Sequence, residues 1–287
     1  MIESEREHET VVEVLAAFVR DQTPLPVSVE IPSDAEHDHK VTAWGTRLRT
    51  DVQAALTVLG RRSRRPERAD FVDLSRSDLS GADLSGLNLD DVWFWRSSLR
   101  SAKLHGGSFK GANFAFADLE EAGLSSAILQ DACLYRTQLR GAVLLGADLQ
   151  DADFTEALLQ GAYLAEADLH NAVFEEARLE GADFVAFPTG SPAEPPRRLT
   201  AEQLASAVID GSTRLPDGLS EAVQRVAQLK AATSDGPTGS PSSSADSPGL
   251  SDPGGDVDNL TPSSGALPRR AVTETKTETE SEEGSCG

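Results

Sequence analysis

The sequence predicts a mainly β fold in which short repeats stack into a solenoid, with α-helical caps at both ends and a disordered C-terminal tail. Every fifth residue from Leu74 to Phe184 is Leu or Phe, which makes 23 consecutive matches in one register. Ala stands two residues before most of these positions, and Gly often stands two residues after them. A fixed short period over this length is typical of repeats that bury their apolar residues only against neighbouring repeats.

A period of five matches neither of the regular elements. An α-helix repeats at about 3.6 residues and a β-strand at about 2. The chain must therefore turn a corner in every repeat. One large and one small inward position per repeat suit a narrow coil that is filled by side chains, and the polar residues between them would face water.

The repeat units identify a known family. Gly81-Ala82-Asp83-Leu84-Ser85, Gly146-Ala147-Asp148-Leu149-Gln150 and Gly181-Ala182-Asp183-Phe184 resemble pentapeptide-repeat proteins. The resemblance covers about 115 residues. It implies a right-handed quadrilateral β-helix with four pentapeptides in each coil. Positions 20 residues apart would then stack, which places Phe94, Phe114, Phe154 and Phe174 in one interior column.

Four segments follow from these patterns. They are an N-terminal helical segment (1–68), the pentapeptide-repeat β-helix (69–187), a C-terminal helical cap (188–231) and a disordered acidic tail rich in Ser, Pro, Gly and Glu (232–287). The tail has too few large apolar residues to bury a core. A solenoid exposes unpaired backbone at each end, so helical segments on both sides are expected to act as caps.

Two helices are predicted before the repeats. One covers residues 8–20, with Val11, Val14, Leu15 and Phe18 on its apolar stripe. The other covers residues 50–60, with Val52, Ala55, Leu56 and Leu59 apolar, a capping box from Thr50 and Gln53, and a stop at Gly60.

Their sequences resemble an actinobacterial subgroup in which such helices directly precede the β-helix. Many members of that subgroup have membrane segments further upstream. Either this chain is a soluble variant, or Met1 is an internal start of a longer protein. Contact with a membrane is expected only in the second case.

Two further helices are predicted after the repeats. Thr200 and Gln203 form a capping box at the start of a short helix, and Leu199 with Leu204 fits a hydrophobic staple. The second helix is predicted over residues 220–230. The resemblance leaves two roles open for this segment, namely a cap or a surface that forms a homodimer.

Composition restricts the function. The net charge of −21 argues against direct binding of nucleic acid, which requires Lys and Arg to neutralise phosphates. The chain contains no apolar run near the ~20 residues of a membrane span. Its charged start has no signal-peptide pattern. We therefore expect a cytoplasmic location.

No catalytic constellation is visible, so we predict no enzymatic activity and no cofactor. The nearest approach to a metal cluster is His37-Asp38-His39 beside Asp34 and Glu36. It lacks further ligands at a recognised spacing, and we predict no metal site.

One candidate surface combines exposed aromatic rings with arginines. Trp93 and Trp95 flank the inward Phe94, so both should point outward. The candidate residues are Trp93, Trp95, Arg96, Phe116, Tyr135 and Arg136. Exposed aromatics beside Arg are typical of protein-binding hot spots. The sequence favours a protein-interaction scaffold with an unknown partner, but it also allows that the N-terminal helices fold back and cover these rings.

A second candidate surface is acidic. It consists of Asp90, Asp91, Asp131, Asp148, Asp151 and Asp168. An acidic column on a rod can imitate the phosphates of DNA, and the family resemblance includes proteins that inhibit DNA gyrase in this way. The alternative function is therefore a DNA mimic that binds gyrase or another DNA-binding protein. Lys110 interrupts the column, and Asp at these positions is also expected for solubility alone.

Overall fold

A computed structural model describes residues 2–25, 48–62 and 72–234 of the chain. It contains the helices α1 (Ile2–Gln22), α2 (Thr50–Arg61), α3 (Ala201–Leu204) and α4 (Leu219–Ser234) around a stack of coils. None of the helices in these ranges combines the length and apolar character needed to cross a bilayer. The predicted acidic tail beyond residue 234 and the candidate metal cluster at residues 34–39 lie outside the described residues.

The coils are held together by parallel pairing between residues 20 positions apart. The series runs from Asp73 with Trp93 to Tyr163 with Asp183 and pairs one residue on every face of every coil. This register confirms that four pentapeptides form one coil. Each pairing is an isolated bridge rather than an extended strand, because the chain turns a corner after every five residues.

The repeated Leu, Phe and Ala side chains fill the interior of the coils. All 23 Leu or Phe positions from Leu74 to Phe184 are buried. The predicted aromatic column is present: Phe94 stacks on Phe114 with ring centroids 4.9 Å apart, and Phe154 stacks on Phe174 at 5.0 Å. These distances are close to the ~4.8 Å spacing of paired β-strands, so the two rings of each pair lie flat on one another in successive coils.

The corners use a backbone conformation that L-residues rarely adopt. The residue two places after each central Leu or Phe has a positive φ at all 22 positions from Arg76 to Gly181, although only eight of these residues are Gly. Glu121, for example, has φ 57°. Its N–H donates to the carbonyl of Arg140 in the next coil at 2.9 Å, and most of the other corner residues make the equivalent bond. The neighbouring coil therefore holds most of the corners in place.

The N-terminal helices pack against the first coil. In α2 the predicted apolar residues Val52, Ala55, Leu56 and Leu59 are all buried. The face of α1 differs from the prediction, because Val12, Ala16 and Val19 are buried whereas Val11 and Val14 are exposed. A stripe shifted by one residue fits the sequence equally well, since Leu15 and Phe18 lie at the shared edge and are partly buried.

Two local predictions for α2 are wrong. The helix begins after Arg49 without a side-chain cap, and Gln53 instead bonds to the first coil. Gly60 does not stop the helix, which continues to Arg61. It allows close packing, since a Cβ at Gly60 would lie 2.6 Å from the Cβ of Leu87.

The C-terminal helical segment is more than a separate cap. After an inserted stretch, Arg197, Val208 and Arg214 pair with Asp168, Arg178 and Asp183, at offsets of 29, 30 and 31 residues instead of 20. The pairing therefore continues past the boundary expected at residue 187, because an insertion lengthens the last coil without ending it.

On the remaining face of this last coil, α3 takes the place of a paired residue. The predicted capping box of Thr200 and Gln203 is confirmed. The Gln203 Nε2 also donates to the carbonyls of Leu169 and Ala172, at 2.8 and 2.9 Å. The predicted final helix corresponds to α4, which packs beside α3.

Candidate interaction surfaces

Five of the six predicted aromatic and arginine residues lie along one corner of the coil stack. They occupy the two positions after the central Phe94, Phe114 and Leu134. Because positions 20 residues apart stack, successive coils bring them into one line. Arg76, in the coil before, extends the line. We call this surface the aromatic–arginine corner, and it comprises Arg76, Trp95, Arg96, Phe116, Tyr135 and Arg136.

Each arginine of this corner lies over a ring. The guanidinium carbons of Arg76 and Arg96 are 4.8 and 4.7 Å from the centroid of the Trp95 ring. Arg96 is also 5.4 Å from the Phe116 ring. Arg136 is 5.8 Å from the Phe116 ring and 5.2 Å from the Tyr135 ring. Cations at such distances are attracted by the negative face of an aromatic ring.

The far end of the corner is fixed by an acidic residue. The hydroxyl of Tyr135 donates to Glu156 at 2.9 Å, and Nε of Arg136 donates to the other oxygen of the same carboxylate at 2.6 Å. Phe116 and Tyr135 meet edge to face with centroids 5.4 Å apart. Ring contacts and an ion pair thus hold these half-exposed side chains in one arrangement.

Trp93 lies on the adjoining flat face rather than at the corner. It pairs with Asp73 in the coil before and Asn113 in the coil after. Its side chain is 45% exposed. The α1 helix contacts the same face at the first coil, where Arg20 forms an ion pair with Asp73 at 3.1 Å.

Arg76 is the member of this corner that sequence reasoning missed. It stands 20 residues before Arg96, and the stacking rule that follows from four repeats per coil could have identified it.

The six candidate acidic residues occupy three neighbouring lines instead of one column. Asp148 pairs with Asp168 on a flat face. Asp91, Asp131 and Asp151 are exposed at the following corner, and Asp90 lies between these two lines. Ile128 precedes Asp148 in the flat-face line and is 39% exposed, so the line is not uniformly acidic.

Asp at the position before the central residue has a local structural role. The Oδ1 atom of Asp148 accepts a hydrogen bond from the N–H of Gln150, and Asp168 accepts one from His170. The same contact occurs in repeats outside the candidate surface, such as Asp78 with Ser80 at 3.1 Å. A side chain that bonds its own backbone two residues on stabilises a turn. This role explains the frequent Asp independently of any partner.

Other neighbours bind several of the remaining carboxylates. Lys110 Nζ lies 3.6 Å from Asp131, and the backbone N–H of Lys110 donates to Asp90 at 2.9 Å. Asn171 donates to Asp151 at 3.0 Å. Lys110 thus offsets one negative charge on the candidate acidic surface, and neutral donors bind two more of its carboxylates.

A mixed charged cluster lies on another face. Arg100 Nη1 is 3.2 Å from Asp118 and also contacts Glu120. Burial raises the pKa of the Asp118 carboxyl above its ordinary value, although the N–H of Glu120 and the charge of Arg100 oppose that shift. Burial also lowers the pKa of Arg140 in the same cluster.

The family model for pentapeptide repeats matches residues 77–114, 108–146 and 147–184 and finds eight copies. The chain belongs to the pentapeptide-repeat family. Members of this family fold as right-handed quadrilateral β-helices, in agreement with the pairing described above. A comparison with curated protein sequences found no match.

Solved structures of other pentapeptide-repeat proteins are similar to parts of the chain. HetL from the cyanobacterium Nostoc is involved in the regulation of heterocyst differentiation. It is 26% identical, and the match covers 51% of this chain and 77% of HetL with a TM-score of 0.26.

A protein of the Arabidopsis thaliana thylakoid lumen is 35% identical over 39% of this chain and 67% of its own, with a TM-score of 0.16. QnrB1, a plasmid-mediated fluoroquinolone resistance protein, is 16% identical over 52% and 84%, with a TM-score of 0.23.

Pentapeptide-repeat proteins are generally structural or interaction proteins and no enzymatic family is indicated for this chain. Its described residues contain no group of three or more His, Cys, Asp or Glu placed to hold a metal ion. A groove of about 410 Å³ between α1 and α2 is lined mainly by apolar side chains, together with Thr57, Arg61 and Arg62.

Proposed function

We propose that this chain is a non-enzymatic scaffold that binds another protein at the aromatic–arginine corner and the adjoining Trp93. The observation that carries the proposal is the stacking of Arg76 and Arg96 on Trp95. It forms an ordered cluster of the residue types that dominate binding energy at protein interfaces. Trp93, at 45% exposure, adds a large ring beside it.

The rigidity of this surface supports the proposal. The backbone N–H groups of Arg76 and Arg96 donate to carbonyls of the next coil, with N···O distances of 2.9 and 3.1 Å. The side chains are further held by ring contacts and by Glu156. A surface that is ordered before binding loses little conformational entropy when a partner docks. Preorganisation is therefore the physical advantage that a coil stack gives to this corner.

Capture of partners from a lysate of the host tests the proposal, with one prey followed quantitatively. The variant Trp93→Ala/Trp95→Ala should lose that prey. The matched control is Val173→Ala, which removes an exposed apolar side chain further along the same face as Trp93. Thermal unfolding of each variant separates lost binding from lost folding. If the double variant folds normally and retains the same prey as the wild type, the proposal fails.

The alternative is a DNA mimic that uses the acidic surface against gyrase or another DNA-binding protein. The pairing of Asp148 with Asp168 favours it, because it places two carboxylates one coil apart. A DNA supercoiling assay is the direct test. Inhibition that disappears in Asp148→Lys/Asp168→Lys would support mimicry, and no inhibition by the wild type at high concentration would exclude gyrase as the target.

A further inference from the structure

We propose that two copies of the chain associate through the outer surfaces of α1 and α2, which pack as two helical hairpins into a four-helix bundle. This surface shares no residue with the aromatic–arginine corner, so the association is a second interaction of the scaffold. We call it the hairpin face, and it comprises Val11, Val14, Leu15, Phe18, Asp51, Ala54, Val58 and Arg61.

The helices α1 and α2 lie side by side and run in opposite directions. Arg49, which precedes α2, donates from Nη1 to Oε1 of Gln22 at the end of α1, at 2.5 Å. At the other end of the pair, Val11 and Arg61 line the same groove of about 410 Å³. Residues 11–22 of α1 therefore lie along the whole of α2, over about 18 Å.

The first reason for the proposal is that α1 has two apolar stripes. One stripe is buried and consists of Val12, Ala16 and Val19. The other consists of Val11, Val14, Leu15 and Phe18, and its members Val11 and Val14 are 53% and 60% exposed. A helix on the surface of a globular protein normally has one apolar stripe, which faces the core. A second, exposed stripe indicates a surface that packs against another chain.

The second reason is that the apolar surface continues onto α2. Val58 lies across the groove from Val11 and is 55% exposed. Two neighbouring helices that share an exposed apolar surface form half of a helix bundle, and a second pair of helices completes it. The occupant of this surface is therefore helical.

The third reason is that the exposed side of α2 matches itself when it is reversed, which makes the occupant a second copy. Residues spaced by three, four and three positions lie on one side of a helix. In α2 these are the exposed residues Asp51, Ala54, Val58 and Arg61. In an antiparallel pair of α2 helices, Arg61 of each copy lies opposite Asp51 of the other, and Ala54 lies opposite Val58. A two-fold axis repeats each of these contacts.

The charged groups at the two ends of α2 can make this contact. Arg61 is exposed and forms no ion pair with another described residue. The carboxylate of Asp51 binds Arg49 and the N–H of Val52, yet the side chain of Asp51 remains 47% exposed. Its Oδ2 atom accepts only from Arg49, and a carboxylate oxygen accepts two hydrogen bonds. Antiparallel packing also places the opposite ends of the two helix dipoles together.

The size of the hairpin face determines the expected affinity. The face is two helices wide and about 18 Å long. This is less than the ~800 Å² that each partner buries in a standard interface. We therefore expect reversible association, with a dissociation constant on the order of 10 μM.

Sedimentation of the full chain tests the proposal over a range from about 1 to about 500 μM, which brackets that constant. We expect a monomer at the low end and a dimer at the high end. The variant Val14→Glu/Val58→Glu should remain a monomer throughout, because it places charges in the apolar centre of the bundle. Both positions are exposed in the single chain, so its thermal unfolding should be unchanged.

The matched control is Val208→Glu, in the last coil, where the side chain is 46% exposed. It should dimerise as the wild type does. A wild type that is monomeric at the highest concentration would overturn the proposal. So would a dimer that Val208→Glu dissociates and Val14→Glu/Val58→Glu does not, because the C-terminal segment would then be the interface.

Exchange of charges tests the antiparallel register itself. Arg61→Glu and Asp51→Lys should each weaken self-association by about tenfold, since like charges then face one another at both ends. A mixture of the two variants should associate more tightly than either alone, because opposite charges face one another again in the mixed dimer. Arg225→Glu, at an exposed position of α4, is the control for net charge. Equal association of the mixture and of the separate variants would contradict the pairing of Arg61 with Asp51.

Discussion

The side-chain amide of Gln53 pairs with the backbone of Asp83 at both polar groups. The N–H of Asp83 donates to Oε1 of Gln53 at 2.9 Å, and Nε2 of Gln53 donates to the Asp83 carbonyl at 2.6 Å. A primary amide has an N–H donor and a carbonyl acceptor, as a peptide group has. The Gln53 side chain therefore bonds the backbone N–H and carbonyl of Asp83 as a residue of a preceding coil would. On the adjoining faces, Thr23 accepts from Asp78 and Gly60 accepts from Asn88.

Removal of this amide should loosen the start of the coil stack. We expect Gln53→Ala to lower the free energy of unfolding by about 1–2 kcal/mol, since two hydrogen bonds are lost. Hydrogen exchange at the Asp83 amide should become faster. Chemical denaturation measures the first effect, and mass spectrometry of exchanged fragments measures the second.

The variant Gln53→Glu keeps only one of the two hydrogen bonds with Asp83. A carboxylate still accepts from the N–H of Asp83 but cannot donate to its carbonyl, so we expect a loss at least as large as one hydrogen bond. Gln224→Ala, at an exposed position of α4, serves as the control. If Gln53→Ala and Gln224→Ala unfold alike, the amide does not stabilise this end of the stack.

Alanine substitution at three glycines distinguishes the cost of a steric conflict from the cost of backbone strain. A Cβ at Gly60 would lie 2.6 Å from Leu87, so Gly60→Ala should cost about 1–3 kcal/mol through steric conflict between α2 and the first coil. Gly161 has open space but φ +67°, and Gly161→Ala should cost about 1 kcal/mol through backbone strain. Gly211 has open space and no positive φ, so Gly211→Ala should be neutral or slightly stabilising.

Thermal unfolding of the three alanine variants checks the order, with Gly60→Ala the least stable and Gly211→Ala the most stable. Gly161→Asn should be milder than Gly161→Ala, because Asn tolerates the left-handed region and already occupies the equivalent corner at Asn171. Equal losses at Gly161 and Gly211 would contradict the assigned role of the corner backbone.

The coil stack could be predicted because its signal is periodic. One Leu or Phe every five residues fixes the inward position, and the stacking of residues 20 apart follows from four repeats per coil. Trp95, Arg96, Phe116 and Tyr135 could therefore be placed near one another before any coordinates were known. The same rule would have added Arg76.

The ends of the stack could not be predicted in the same way. They depend on single contacts, such as Gln53 with Asp83, that leave no periodic trace. The offsets of Arg197 and Arg214 arise from an insertion after Phe184, where the five-residue period ends and the sequence therefore predicted the end of the coil stack. The buried face of α1 was ambiguous because Val11, Val12 and Val14 are equally apolar, and only packing against α2 decides among them.

A charge inside the coil should be far more damaging than the same charge outside it. Ala147 is fully buried among the large side chains of the repeat. We expect Ala147→Asp to cost at least ~3 kcal/mol, since an unpaired carboxylate would be buried. Val173 points outward with 43% exposure, and Val173→Asp should cost less than ~1 kcal/mol.

Circular dichroism and chemical denaturation of both variants measure this contrast. Hydrogen exchange should show the greatest loss of protection in coils next to residue 147. If Ala147→Asp unfolds at the same denaturant concentration as Val173→Asp, then position 147 does not face the interior, and the register of the whole repeat is wrong.

The pH dependence of stability should reveal whether burial or attraction dominates at Asp118. Burial raises the pKa of its carboxyl, although Arg100 Nη1 lies only 3.2 Å away. A raised pKa means that the folded state binds the proton more tightly than the unfolded state. The stabilising contribution is therefore complete below the unfolded pKa and is lost as pH rises through the folded pKa.

Asp118→Asn removes this titration, and the comparison uses the difference in unfolding free energy between wild type and variant. We expect the stability of the wild type relative to Asp118→Asn to fall as pH rises above about 4 and then to level off. Asp210 provides a control of opposite sign, because its hydrogen bonds with Ser212 lower the pKa of its carboxyl. Relative to Asp210→Asn, the wild type should become more stable as pH rises through the acidic range. A relative gain with rising pH for Asp118 as well would show that attraction to Arg100 outweighs the cost of burial.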